Sequence, residues 1–288
     1  MFGISLVLAY FSIREGNTRM MHTEWIYLIA AFSGLVIGSF LNVVIYRYPK
    51  IMERQWKAAA EDYLEKAITF TTRVFHLTWP RSHCPQCENA LKPWHNVPLL
   101  SYALLKAHCA FCGKRISPIY PLVEALTCIL LVSAVYRFGI SEQTVGACVL
   151  ISFLIVLGFI DANTQLLPDD IVYVGLWTGL IANTLALFTS PVSAIMGAAA
   201  GYSVLWALAH AYKVIRKKDG MGYGDFKLFA LLGAWFGMEA LPTLLLIAAL
   251  SGLGMAGIQW ARGRLTAAQP MAFGPALAIS GVVVLFFT

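Results

Sequence analysis

Apolar residues fall into eight stretches along the chain, near 24–46, 118–138, 143–161, 170–189, 193–212, 226–240, 242–260 and 271–287. Each approaches the roughly 20 apolar residues that carry a helix across about 30 Å of hydrocarbon. The sixth is short, and only Glu239 and Pro242 part it from the seventh. The first lies too far along the chain and is too long for a removable signal peptide, whose apolar region is about 7–15 residues. A different pattern follows it. From Met52 to Val74, Trp56, Ala59, Ala60, Tyr63, Leu64 and Ala67 recur at helical spacing with Glu and Lys between them. That spacing predicts an amphipathic helix resting on the membrane surface or on the rest of its loop. No internal repeat stands out.

The fold class expected is therefore an all-α polytopic membrane protein with about eight transmembrane helices. It divides into a first span at 24–46, a water-exposed loop at 47–117 and a seven-helix membrane domain at 118–288. Composition agrees: 59% of the 288 residues are hydrophobic and only 12% charged, against about a quarter charged in soluble domains.

The net charge of +6 adds orientation. Of the 21 Lys and Arg, eleven lie from Arg47 to Arg115 and five from Lys213 to Lys227, with Arg262 and Arg264 in a third cluster. Basic loops stay on the cytoplasmic side. Eight crossings then put all three clusters inside and both termini outside. A basic face with interleaved aromatics, as nucleic-acid binding requires, is not present, so lipid is the expected partner and nucleic acid is not.

The loop carries Cys84-Pro-Gln-Cys87 and Cys109-Ala-Phe-Cys112, two C-x2-C pairs separated by 21 residues. This is close to the spacing of zinc ribbons, and four thiolates suit a closed tetrahedral structural Zn²⁺ site. Gly113 can supply the tight turn after the second pair. Two disulfides or a redox pair are the competing readings, disfavoured in a reducing cytoplasm. His83 and His108 each precede a cysteine and are second-choice ligands, more simply read as solvated. Cys128 and Cys148 read as small buried hydrophobes.

Carboxylates near membrane spans are functional candidates by default. Asp161 closes the third apolar stretch and Asp225, after Gly222-Tyr223-Gly224, opens the sixth. Two crossings separate them, so both emerge on one side. Two adjacent carboxylates cannot both ionise cheaply; the ionised one can activate water while its neutral partner polarises a carbonyl. Gly222 and Gly224 would let a substrate backbone approach. The bland alternative is that each aspartate merely ends a helix. Asp169 and Asp170 read as the acidic start of the fourth span, and Lys227 as a snorkelling lysine or one that tunes the nearby carboxylate. Glu124, inside the second span, needs a polar partner, with Asn42 and Arg47 the candidates.

These residues resemble the bacterial type IV prepilin peptidase family in six segments, in order. They are Gly38-Ser39-Phe40-Leu41-Asn42-Val43-Val44-Ile45-Tyr46-Arg47; the paired CxxC knuckles with Pro93 to Tyr102 between them; Tyr120-Pro121-Leu122-Val123-Glu124; Asp161 with Gln165 to Asp169; Gly222 to Lys227; and Phe273-Gly274-Pro275. Ile119 stands where the family pattern would carry a basic residue. The resemblance implies an inner-membrane aspartic endopeptidase with Asp161 and Asp225 as its catalytic pair on the cytoplasmic side. Its substrates would be prepilins of the type IV pilus and pseudopilins of type II secretion, cut after a short basic leader. The resemblance also implies methylation of the new N-terminus from S-adenosylmethionine, whose site the sequence does not locate. A cation transporter is the alternative from another class, but the repeated halves of such folds are not visible.

Overall fold

The computed structural model describes residues 2–63, 76–77, 81–218, 220–263 and 271–287, with side chains of the first helix from Glu24 to Ala60. Nine α-helices form among these residues. They are α1 (Phe2–Tyr63), α2 (Leu100–Leu104), α3 (Ile119–Phe138), α4 (Glu142–Thr164), α5 (Asp169–Thr184), α6 (Pro191–Arg216), α7 (Tyr223–Phe236), α8 (Leu241–Ala261) and α9 (Gly274–Phe287). Each of the eight apolar stretches falls on one of them. Five segments are long and apolar enough to cross a membrane: Glu24–Ala60, Ile119–Phe138, Glu142–Thr164, Pro191–Arg216 and Met238–Ala261. The helices α5, α7 and α9 are shorter, at 16, 14 and 14 residues.

The first span differs from expectation. Its helix does not end near residue 46 but runs on through Pro49 to Tyr63. The stretch expected to be a separate amphipathic helix therefore begins as a continuation of the span; its residues 64–74 lie outside the described ones. Along this extension Glu53 and Lys57 pair at 2.6 Å, one turn apart and both exposed.

Local chemistry sets the other ends. Ser141 caps α4, its hydroxyl accepting the Thr144 N–H, and Ser190 does the same for α6 ahead of Pro191. Gly237, at φ +82°, closes α7, a conformation for which glycine lacks the Cβ penalty.

At the centre is α7. From Asp225 to Trp235 every residue but Lys227 is buried, because α5, α6 and α9 pack around it. Between helices in lipid there is little hydrophobic drive, so close backbone packing through small residues takes its place. Three Gly-x-x-x-Gly pairs supply it. Gly197 and Gly201 of α6 lie on the α7 backbone at Gly233 and Phe229, and a Cβ on either Gly197 or Gly233 would run into the other's main chain. Gly175 and Gly179 of α5 make room for Leu231 and Trp235 of α7, where a Cβ would sit 2.6 and 2.5 Å from their side chains. Gly34 and Gly38 of α1 face Cys128 and Glu124 of α3, where a Cβ would sit 2.7 and 2.8 Å from their Cα atoms.

Polar groups inside this packing are satisfied. Fully buried Asn183 donates to the carbonyls of Ala234 and Trp235 (2.8 and 2.9 Å) and accepts the N–H groups of Phe188 and Thr189. Trp235 donates its indole N–H to Gly175 O at 2.9 Å. Glu124 has a different partner from either expected one: its carboxylate accepts the Leu99 N–H at 2.8 Å. Asn42 donates instead to Tyr120 O (2.9 Å), and Arg47 to the carbonyls of His76 and Leu77 (3.1 and 3.0 Å).

Gly233→Ala inserts one methyl group into a backbone contact, whereas Gly254→Ala adds the same group where nothing lies within 4 Å. The first should destabilise the protein in detergent by about 3 kcal/mol, seen as a fall in Tm of roughly 10 °C. The second should leave Tm within about 2 °C of the parent. Equal melting of the two variants would show that the α6–α7 contact does not hold the bundle.

Candidate active site

The two aspartates come together at one end of the bundle. Asp161 sits in the last turn of α4 and Asp225 in the first turn of α7; they are 5% and 8% exposed. The carboxylates are near enough to feel each other's charge. The residues that bring them together are glycines on adjoining segments.

Gly274, the first residue of α9, donates its N–H to Asp161 Oδ2 at 2.8 Å. A Cβ at Gly274 would stand 2.6 Å from that oxygen and 2.9 Å from Asp161 Cγ, so only glycine permits the approach. The start of α9 also presents its positive dipole end to the carboxylate. Pro275, next in line, has no N–H to compete. Phe273-Gly274-Pro275 belongs to the family resemblance, but nothing local to the motif names Asp161, 113 residues away, as the partner of Gly274.

Gly224 acts differently from expectation. A Cβ there would lie 2.8 Å from Leu167 Cβ, so its free space is filled by the α4–α5 connection and not left for substrate. This contact docks the segment after Asp161 against the segment bearing Asp225. At Gly222 the surroundings are open: a Cβ would meet only Asp225 Oδ2, at 3.6 Å. The bare Gly222 backbone leaves that approach to the carboxylate free.

Lys227 turns away from Asp225. Its ammonium contacts both oxygens of Asp169 on α5 at 2.7 Å and lies 5.5 Å from the Tyr173 ring centroid. The neighbouring Asp170 accepts the Tyr48 hydroxyl of α1 at 2.6 Å. The N-terminus of α5 is thus tied to α7 on one side and α1 on the other, next to the aspartate pair.

The loop before α3 ends on the same side of the bundle. Its four thiols, Cys84, Cys87, Cys109 and Cys112, lie within 4.8 Å of one another, an arrangement that could hold a metal ion. It is built by a repeat not visible at first reading. Residues 82–91 and 107–116 make the same backbone bonds 25 positions apart. Cys84 N–H to Asn89 O matches Cys109 N–H to Lys114 O, and Leu91 N–H to Ser82 O matches Ile116 N–H to Ala107 O. The turn residues Glu88 and Gly113 both adopt positive φ, at 56° and 67°. The only shared lettering is His-Cys-x-x-Cys, too short to stand out. His83 and His108 are equivalent in this repeat, each ring Nδ1 facing the carbonyl two residues back (3.0 and 2.5 Å), and neither belongs to the thiol cluster. Backbone N–H groups of Cys112 and Phe111 pull the Cys109 thiol down to about 7, toward the thiolate that binds metal.

Comparison with known proteins assigns the chain to a family. Residues 32–138 match the family model of the bacterial peptidase A24 N-terminal domain, and residues 148–257 match that of the type IV leader peptidase family. A prepilin leader peptidase/N-methyltransferase of Neisseria gonorrhoeae is 46% identical over 257 residues, covering 89% of this chain and 88% of the relative. Proteins of the same name from Pseudomonas aeruginosa and Aeromonas hydrophila are each 43% identical; the shares covered are 88% of both chains for the first and 91% of both for the second. No solved structure matches. With the aspartate pair and the cysteine loop both inside the matched regions, the chain belongs to the type IV leader peptidase family.

Proposed function

We infer that this protein removes the basic leader from type IV prepilins and type II secretion pseudopilins by an aspartyl mechanism, and N-methylates the residue so exposed. The observation that carries the reading is the burial of Asp161 and Asp225 at one end of the bundle, near enough to feel each other's charge. Two carboxylates so placed hold one proton between them. The ionised one takes a proton from water as its oxygen attacks the scissile carbonyl. The protonated one donates to the carbonyl oxygen, and proton return to the leaving nitrogen completes hydrolysis. The Gly274 N–H keeps one Asp161 oxygen occupied and so fixes how that carboxylate is turned. Gly222 supports the reaction by leaving Asp225 approachable, and Gly224 by seating its segment on Leu167.

The positive-inside rule places the aspartates and the cysteine loop on the cytoplasmic side of the inner membrane, with eight crossings and both termini periplasmic. A basic leader is retained on that side by the same rule, while the apolar helix behind it stays in the bilayer. The scissile bond then lies at the boundary, where water reaches it.

The four thiols fit Zn²⁺ in number, softness and mutual approach. Held by Cys84, Cys87, Cys109 and Cys112, the ion would act as a cross-link between two halves of a loop that has little core of its own. S-adenosylmethionine would supply the methyl group, and we place its site in the 47–117 segment. The described residues contain no strand leading through a glycine-rich loop into a helix, so none is assigned to hold it.

Cleavage of a purified prepilin in detergent tests the central reading. Asp161→Asn and Asp225→Asn should each abolish cutting while the proteins melt like the parent and still methylate a pre-cleaved pilin; cutting by either variant would reject the aspartyl mechanism. Elemental analysis should find one Zn²⁺ per parent chain and none in a Cys84→Ser/Cys87→Ser variant. A full ion retained by the double variant would reject the four-thiol site. For the Lys227–Asp169 pair, Lys227→Met should lower kcat about tenfold with KM nearly unchanged, as expected of a residue that positions α7. A change confined to KM would assign the pair to substrate binding instead.

A further inference from the structure

The cysteine loop carries an apolar face that none of the described residues covers. The helix α2 buries none of its residues. Leu100 and Leu104 are 56% and 72% exposed, and Trp94 and Phe111 beside them 61% and 45%. These side chains belong to one body. The His95 ring stands edge-on to both Trp94 and Phe111, with centroids 6.1 and 5.7 Å away, and so joins the turn before α2 to the second cysteine pair. A soluble loop would hide this much apolar surface or exchange it for polar residues.

Two further observations identify what covers it. The first is level. Leu99, the residue before α2, donates its N–H to Glu124 in the second turn of α3, and Arg47 of α1 holds the carbonyls of His76 and Leu77. The face therefore begins against the end of a spanning helix, at the depth where hydrocarbon gives way to headgroups. Leu99 takes φ +57° to meet Glu124, a conformation unfavourable for a branched side chain, so the anchoring is specific and not a relaxed default.

The second is charge. Between Arg81 and Pro118 the chain has five basic residues and one acid, Glu88. Arg81, Lys92, Lys106, Lys114 and Arg115 are all exposed, and Lys92 lies over the Trp94 ring at 5.3 Å from its centroid. An apolar patch of Trp, Phe and Leu rimmed by lysine and arginine is the composition of a surface that lies in an anionic membrane interface.

We propose that the cysteine loop docks on the headgroup layer of the membrane that its own helices cross, inserting Trp94, Leu100, Leu104 and Phe111 among anionic lipids. The occupant is lipid of the adjoining leaflet, not a soluble protein. Docked this way, the loop is held down at two places, by Glu124 within the chain and by lipid outside it. It would lie flat beside the end of the bundle where Asp161 and Asp225 sit.

Hydrogen exchange of the full chain in nanodiscs tests this. Peptides covering residues 94–105 should exchange on the order of fivefold more slowly in discs containing phosphatidylglycerol than in pure phosphatidylcholine, the effect of about 1 kcal/mol from a basic residue at the surface. High salt should remove the difference, and Leu104→Asp should remove it while the four-thiol metal content stays at the parent level. Lys106→Glu, at an exposed position, serves as the second variant should Leu104→Asp lose metal. Equal exchange in the two lipids with metal retained would overturn the proposal. So would slowing that appears only on adding prepilin, since the face would then belong to the substrate.

Discussion

Everything in the bundle depends on how closely α6 and α5 can approach α7. Lipid tails are as apolar as leucine, so burying a leucine between two membrane helices gains little over leaving it in lipid. What distinguishes the packed state is contact that lipid cannot make: backbone against backbone at Gly197 and Gly233, and Trp235 seated over Gly175 and Gly179. A 14-residue helix is short for the bilayer and α7 has few resources of its own. Enclosed by its neighbours, it becomes the rigid post on which Asp225 is mounted.

The same enclosure lets two carboxylates be buried at one place. Each would be unfavourable alone; Asp161 has a main-chain donor in Gly274, and Asp225 lies against the open backbone of Gly222. The remaining charge at that end is organised outward. Lys227 is drawn to Asp169, and Asp170 to Tyr48, so the lysine nearest in sequence to the aspartate pair does not neutralise it. The pair is left to interact with itself, which is the condition for sharing a proton.

The cysteine loop solves a different problem, that of ordering a polar segment with a very small core. Two copies of one short turn face each other so that four sulfurs converge, and His95 joins the intervening turn edge-on to the second copy. Glu124 then fastens this unit to α3. Its carboxylate is accommodated inside the membrane domain because it ends on a backbone donor, and the acid expected to need a side-chain partner proves to be an anchor for the loop.

Much of this was legible in the residues themselves. Apolar run length marks membrane helices because backbone groups in hydrocarbon must bond within their own segment, and all eight stretches fall on helices. The cysteine spacing marked a common ligand set because sulfurs two residues apart reach one point, and the aspartates stood out because charge near lipid is unfavourable unless used. Less legible was anything that joins distant segments. Continuation of α1 past residue 46 turned on polar residues that suit a surface helix as well as an extended span. The partners of Glu124, Lys227 and Gly274 lie 25, 58 and 113 residues away, and local pattern carries no information at that range. Gly224 looked like room for substrate until Leu167 was found in it. Residue pattern alone marked the apolar segments that became helices and singled out the candidate carboxylates and thiols, since both follow from the solvation of each residue. Only the tertiary structure decided which of those side chains meet, because that is set by how near two backbones can come, and one methyl group is enough to prevent it.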